Sequence, residues 1–277
     1  MIRKFFYLVW YNIRSCKNKS HIWMGIIFMF LFSNMMLNNT KEMIQKVGER
    51  PTVSSFPILW SDNLFLMLVF FTVIWMFSDA PFCDRMTTFL LVRSGKIIFA
   101  IAHITYIVIL SVVIPIIIYI AETIFLPYVQ GNDWGKFWGT LAQTDIIAQV
   151  EGRITIDYRV LWDFQPQQAM EISVSVCFLL CCMTGLFLYM ASLFKRKKEA
   201  VCVSSFLVIL AYVAKWSSHP ELYKICPYSW IYLDALAPEY NGVFLSVKYV
   251  MVVSIFINII LIALILIKTY RLREVFC

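Results

Sequence analysis

Residues 97–126 read IIFAIAHITYIVILSVVIPIIIYIAETIFL, and the only charged or imidazole side chains among them are His103 and Glu122. An α-helix rises 1.5 Å per residue, so about 20 mostly apolar residues cross a hydrocarbon core of about 30 Å. This stretch is therefore long enough to span a membrane as a single helix.

The composition of the whole chain also favours lipid over water. Apolar residues make up 61% of the 277 positions, against roughly 45 to 50% in soluble domains. Charged residues fall to 15%, where about 25% is usual. This composition excludes soluble globules, disordered chains and disulfide-stapled secreted modules. We predict an all-α polytopic membrane protein, folded as a single transmembrane domain over residues 1–277.

Six apolar runs qualify as transmembrane helices. The second and fifth are short and must extend into polar flanks, where Trp60 and Trp216 suit the aromatic belt of the membrane interface. The predicted spans are residues 22–38, 58–78, 97–126, 171–194, 199–217 and 250–267.

The distribution of Lys and Arg predicts the topology. Six spans place both termini on one side, and the segments on that side hold 15 Lys and Arg in 55 residues. The segments on the other side hold nine in 104 residues. Cytoplasmic segments carry the excess of basic residues, so both termini should lie inside the plasma membrane. The net charge of +7 is thus attributed to topology, and nucleic acid is not expected as a partner.

Residues 1–20 predict an amphipathic helix at the inner membrane surface. Ile2, Phe5, Phe6, Val9 and Ile13 recur at helical spacing, while the basic residues fall mostly elsewhere. Such a helix lies in the interface with its basic side chains on anionic headgroups. The residues expected at the membrane surface include Arg3, Lys4, Phe5 and Arg14.

Residues 84–93 form a second amphipathic segment on the inner side, between the second and third spans. The four consecutive apolar residues 89–92 are bracketed by Asp84, Arg85 and Arg93. A simple connecting loop would not need such a run. We expect a short helix that docks onto a partner or back onto the helix bundle.

Two outer segments are too apolar for solvated loops. In the outer loop, residues 127–170, apolar and polar residues alternate from 153 to 164, a period of two that favours a strand. Residues 218–247 are apolar but interrupted by Pro220, Pro227 and Pro238. The pattern predicts a re-entrant or surface-lying helical hairpin, whose unpaired backbone groups must be covered by protein.

The sequence lacks the motifs of enzyme active sites. It has no phosphate-binding Gly-x-x-x-x-Gly-Lys-Ser/Thr loop, no His-Glu-x-x-His zinc helix and no Gly-x-Ser-x-Gly elbow. The clustered Cys177, Cys181 and Cys182 have no nearby His or carboxylate that would complete a zinc site. We therefore expect no catalysis, no bound metal and no cofactor in this chain.

His103 and Glu122 are the ionisable residues well inside a span, and such residues are often functional. They leave open a second class of function, an ion- or proton-coupled carrier or a channel. A non-transporting membrane sensor or scaffold is a third class.

The ordered set of features resembles the type-2 ATP-binding-cassette (ABC) permeases. Members have six spans with both ends inside, an N-terminal elbow helix, a coupling helix between spans two and three, and a partly inserted hairpin before span six. Their coupling segment often has an acid and Arg, Gly-Thr, a Leu-rich stretch, a turn and a Lys. The matching residues here are Asp84, Arg85, Thr88, Leu90, Leu91 and Lys96, whereas Thr87 stands in place of the Gly and Ser94-Gly95 in place of a proline turn.

The resemblance implies a bacterial exporter subunit that pairs with a second permease, identical or different. A separate ATPase subunit, which binds ATP and Mg²⁺, would drive export of an amphipathic peptide, lipid or drug, as in antimicrobial peptide export or immunity. The coupling residues would be Asp84, Arg85, Thr88, Phe89, Leu90, Leu91 and Arg93. Spans two and five would line the pathway, with Thr72, Trp75, Ser204, Ser205 and Tyr212 as candidates.

Overall fold

The computed structural model of the chain describes residues 2–80, 87–126, 128, 131–144, 157–217, 221–236 and 245–271. In these residues all regular structure is helical, with short 3-10 turns at Cys16–Asn18 and Pro227–Ile231. The α-helices are α1 (Ile2–Ser15), α2 (Ser20–Val47), α3 (Phe56–Leu59), α4 (Asn63–Phe77), α5 (Thr87–Ser94), α6 (Lys96–Phe125), α7 (Gly135–Gln143), α8 (Tyr158–Asp163), α9 (Pro166–Leu193), α10 (Lys197–Trp216), α11 (Leu222–Ile225), α12 (Leu233–Leu236) and α13 (Val247–Arg271).

Five helices are long and apolar enough to cross a membrane, as a multi-pass membrane protein requires. They are α2, α6, α9, α10 and α13, with 28, 30, 28, 20 and 25 residues. Each contains or nearly coincides with a predicted span, but α2 continues well past residue 38 to Val47. It ends there because Gly48 adopts a left-handed conformation with φ 76°.

The predicted span over residues 58–78 is not a single helix. The chain forms α3, breaks at residues 60–62 and resumes as α4, which has 15 residues and is about 22 Å long. The break is stabilised by Asp62, whose carboxylate accepts a hydrogen bond from the backbone N–H of Phe65 at 2.9 Å. This cap satisfies a donor that would otherwise be free at the start of α4.

Helix α9 lies at the centre of the bundle and packs against α4, α6, α10 and α13. Close approach depends on Gly185, because a Cβ there would lie 2.6 Å from the Ile107 side chain and 3.2 Å from the Phe77 ring. Asn258 joins α13 to α9 by donating from Nδ2 to the carbonyl of Leu179 at 3.2 Å. We call the end of the bundle near Phe77 and Lys197 the inner end, after the charge-based prediction, and the opposite end the outer end.

The strand expected from the alternation in residues 153–164 is wrong where the structure describes it. Residues 158–163 form helix α8, and Asp157 caps it by accepting a hydrogen bond from the Arg159 N–H at 2.9 Å. Residues 153–156 lie outside the described residues. The local cap outweighs the alternation because a lone strand has no partner for its backbone groups.

The outer segment, residues 222–236, is a run of short helices inserted among α4, α9 and α10. Its Cys226 thiol donates to the carbonyl of Leu207 at 3.2 Å, and its Tyr228 ring lies 4.8 Å from the Phe70 ring. Leu207 lies nine residues, about 14 Å, below the outer end of α10. From Cys226 to Leu236 the segment is therefore largely buried within the bundle, whereas Lys224 and Ile225 are exposed. Residues 218–220 and 237–244 of the predicted hairpin lie outside the described residues.

Candidate functional site

Helix α5 at the inner end is attached on one face and exposed on the other. Leu91 is 7% exposed and packs in a small cluster with Leu8 and Val9 of α1 and Phe99 of α6. Phe89 and Val92, one turn apart, are 72% and 77% exposed. Two large apolar side chains at such exposure mark a contact surface for lipid or for another protein.

The other predicted coupling residues differ in how far they are exposed and in whether the structure describes them. Leu90 is half-buried and Arg93 is exposed. Thr88 belongs to α5, but its side chain, like the whole of Asp84 and Arg85, lies outside what the structure describes. Gly95, with φ 88°, makes the sharp turn into α6 that a side chain would strain.

The predicted membrane-surface residues lie on α1, which runs beside the first three turns of α6. The Lys4 ammonium donates to the carbonyl of Arg93 in the last turn of α5 at 3.0 Å, and Cys16 is hydrogen-bonded to Tyr106, about three turns along α6. Arg3, Lys4 and Arg14 are exposed and Phe5 is half-buried. Helix α1 thus adjoins both α5 and α6.

The predicted pathway residues on α4 and α10 do not share one environment. Thr72 and Ser204 are buried, and the Thr72 hydroxyl donates to the carbonyl of Leu68 at 2.7 Å. Ser205 is half-buried, while Trp75 and Tyr212 are 36% and 38% exposed. Thr72 and Ser204 thus lie inside the bundle, whereas the other three are partly accessible from outside it.

Ser204 instead takes part in a polar cluster around Tyr228 of the outer segment. The hydroxyls of Tyr228 and Thr184 are 2.8 Å apart, and Thr184 donates its own proton to the carbonyl of Leu180. Tyr228 must therefore be the donor to Thr184, and Ser204 also hydrogen-bonds it. The neighbouring Cys226 thiol donates to the carbonyl of Leu207 on α10.

Glu122 is buried and serves as an acceptor for the chain just before α3. Its carboxylate accepts hydrogen bonds from the hydroxyls of Ser54 and Ser55 at 2.7 Å, and from the backbone N–H of Ser55. His103 lies between the rings of Phe99 and Tyr189, with Nδ1 3.0 Å from the Phe99 carbonyl. The donors around Glu122 hold a carboxylate in place, which favours a role in fixing the outer loops.

The outer charge cluster, formed by Lys215, Asp234 and the carbonyl of Ser61, was not foreseen from the sequence. The Lys215 ammonium donates to the Ser61 carbonyl, lies 3.5 Å from the Asp234 carboxylate and stands 4.8 Å over the Tyr232 ring. Both charged side chains are only 12% exposed. A lysine at the end of an apolar run was the available signal, but its partners come from distant parts of the chain.

The inner charge cluster, formed by His21, Asp79 and Lys197, joins the inner ends of α2, α4 and α10. Asp79 lies 3.3 Å from His21 Nδ1 and 3.9 Å from the Lys197 ammonium. Unlike the outer cluster it is solvated, since Asp79 and Lys197 are 54% and 45% exposed.

A cavity of about 20 Å³ at the outer end, lined by Ile58, Ser61, Val160 and Asp234 among others, has space for a single water. Within the described part of the chain, no three His, Cys, Asp or Glu side chains are close enough to hold a metal ion.

Comparison with protein-family models, with curated proteins and with solved structures finds no match to this chain.

Proposed function

We propose that this chain is a permease subunit of an ABC transporter, in which a separate ATPase drives export of an amphipathic peptide, lipid or drug. The observation that carries the proposal is the exposed pair Phe89 and Val92 on α5. This helix is anchored through Leu91, lies at the inner end and presents an apolar surface where a soluble subunit can reach it. Apolar residues in such a patch supply most of the affinity of a protein interface.

The proposed topology has six crossings and both termini in the cytoplasm. Five crossings are the long helices, and the sixth is α4 with α3 and the intervening turn. Support comes from the excess of Lys and Arg at the inner end, where Lys195, Arg196, Lys197 and Lys198 connect α9 to α10. In a bacterium this places the chain in the plasma membrane.

A second permease subunit is proposed to pack against α4 and α10, as the family resemblance implies. Trp75 and Tyr212 present aromatic surface on the outside of these helices, and Trp75 is supported from behind by Phe28 at 5.8 Å between ring centroids. Aromatic side chains are favoured at the centre of protein interfaces. The transport path would then form between two chains.

The outer segment is proposed to be re-entrant, entering and leaving the membrane from the outer side. Its Tyr228 lies beside Phe70, seven residues or about 10 Å below the outer end of α4. The surrounding helices cover its backbone, which is the condition for irregular chain at membrane depth.

Photocrosslinking tests the central proposal. A photoreactive amino acid at position 89 or 92 should crosslink to a nucleotide-binding subunit, whereas the same group at position 225 should not. Ile225 is a matched control, since it is also apolar and 69% exposed but belongs to the outer segment, away from the inner end. The proposal is wrong if no ATPase copurifies, or if the Phe89→Ser, Val92→Ser double variant retains it at the wild-type level.

The runner-up function is an ion- or proton-coupled carrier or channel that uses Glu122 or His103. It predicts that Glu122→Gln or His103→Ala abolishes transport. Under the permease proposal, ATP-dependent substrate movement in liposomes survives both substitutions in the properly folded fraction. A complex that binds its ATPase but moves no amphipathic substrate would instead favour a non-transporting sensor or scaffold.

A further inference from the structure

Helix α1 has three distinct faces. Leu8, Val9 and Asn12 are buried against the protein. Next to this buried face runs a stripe of exposed apolar side chains along the whole helix, and the charged residues occupy the remaining arc. The stripe consists of Ile2, Phe6, Trp10 and Ile13, which are 73%, 64%, 64% and 36% exposed.

Helix α6, which packs beside α1, also exposes apolar side chains. The adjoining first turns of α6 expose Ile97 and Ile101, at 46% and 38%. Because α6 is long and apolar enough to cross a membrane, the surface beside its apolar turns borders lipid. The stripe on α1 therefore meets the same lipid, at the inner end.

The charges around α1 specify which lipid it meets. Arg3, Lys4 and Arg14 belong to α1, Lys17 and Lys19 follow it, and the first acidic residue of the chain is Glu42. An uninterrupted basic segment beside an apolar stripe is attracted to anionic headgroups.

Helix α1 is also joined to α5. Lys4 donates to the carbonyl of Arg93 in the last turn of α5, and Leu8 and Val9 share a cluster of buried side chains with Leu91 and Phe99. A change in the position of α1 must therefore be transmitted to the helix that carries Phe89 and Val92.

We propose that α1 binds anionic phospholipid of the inner leaflet and that this binding, transmitted through Lys4 and Leu91, fixes the position of α5. The lipid interaction stands on the contacts of α1 alone, whereas its consequence for ATPase docking rests on the proposed function. Anionic lipid is thereby a regulator of the docking helix.

Hydrogen exchange of the full chain in lipid nanodiscs tests this inference without any ATPase. Discs of phosphatidylcholine alone are compared with discs that also contain phosphatidylglycerol. We expect phosphatidylglycerol to slow amide exchange in residues 2–15 by about tenfold, and to slow exchange in residues 87–94 as well. Exchange in α9, at the centre of the bundle, reports that each sample is folded.

Two test variants and one control variant separate lipid binding by α1 from its transmission to α5. Arg3→Gln with Arg14→Gln should abolish the effect of phosphatidylglycerol on both helices, and Lys136→Gln, an exposed charge at the outer end, should leave both effects intact. Lys4→Met should retain most of the effect on α1 but weaken that on α5.

Equal exchange of α1 in the two kinds of disc overturns the proposal, since it shows that charge is not recognised. If phosphatidylglycerol slows exchange in α1 of the wild-type chain but leaves exchange in α5 unchanged, lipid binding is not transmitted to α5 and that part of the proposal is wrong. If both effects occur but no ATPase crosslinks at position 89, the lipid site stands and the proposed function fails.

Discussion

Charged clusters bind α10 to its neighbours at both ends, and the two ends differ in how water reaches them. In the outer charge cluster Lys215 and Asp234 are each 12% exposed, and the ammonium also contacts a carbonyl and an aromatic ring. In the inner charge cluster Lys197 and Asp79 are 45% and 54% exposed. Because water and salt screen exposed charges far more than buried ones, the outer end is fixed by charge and the inner end is not.

Asp234→Ala should be the most damaging change, because it leaves the Lys215 ammonium buried without its carboxylate. We expect the free energy of unfolding to fall by about 3 kcal/mol, measured by denaturant unfolding in detergent. The double variant Lys215→Met, Asp234→Leu should recover most of this loss. A double variant as unstable as the single one would show that the loss does not come from leaving the Lys215 ammonium without its carboxylate.

Gly185→Ala tests whether packing, rather than charge, holds the inner half of the bundle. The added Cβ would lie 2.6 Å from the Ile107 side chain, so we expect destabilisation of about 1 to 3 kcal/mol in the same assay. Gly139→Ala in α7 is the matched control, since nothing lies within 4 Å of its Cβ. Equal stability of the two variants would contradict the close contact of α9 with α6.

Tyr228→Phe removes the hydroxyl that donates to Thr184 and should cost about 1 kcal/mol. The loss should be local, so hydrogen exchange should rise in residues 222–236 more than in α13. Tyr270→Phe, at a position 77% exposed, should change neither quantity. Unchanged exchange in the outer segment of Tyr228→Phe would mean that the outer charge cluster alone holds it.

Lys197→Gln should have the smallest effect, within about 0.5 kcal/mol, because exposed ion pairs contribute little. The difference between the unfolding free energies lost in Asp234→Ala and in Lys197→Gln then measures how much more the buried cluster stabilises its end. A loss from Lys197→Gln as large as that from Asp234→Ala would remove the distinction.

Long apolar runs were enough to predict five helices because each run can satisfy its backbone only by coiling on itself. The run from residue 58 to 78 does not form one helix, for a local reason. Asp62 prefers to cap the start of a helix rather than continue one, and hydropathy does not register this preference. The alternation of apolar and polar residues from residue 153 onward likewise predicted a strand, where Asp157 instead caps the start of a helix.

The partners of buried polar groups could not be predicted, because they come from far along the chain. Glu122 was recognised as unusual, but its donors, Ser54 and Ser55, precede it by more than 60 residues. Lys215 falls at the outer end of the predicted span 199–217 and Asp234 in the predicted hairpin, yet their pairing depends on how the outer segment inserts. Amphipathic patterns locate a surface, whereas such pairings require the packed structure.

The shortness of α4 has a consequence for the chain that precedes it. Helix α4 alone extends about 22 Å, some 8 Å less than an ordinary hydrocarbon core, so in the proposed six-crossing topology α3 and the turn at residues 60–62 complete the crossing. Irregular chain at membrane depth must be covered by protein, and Trp60 and Asp62 in this turn are accordingly buried.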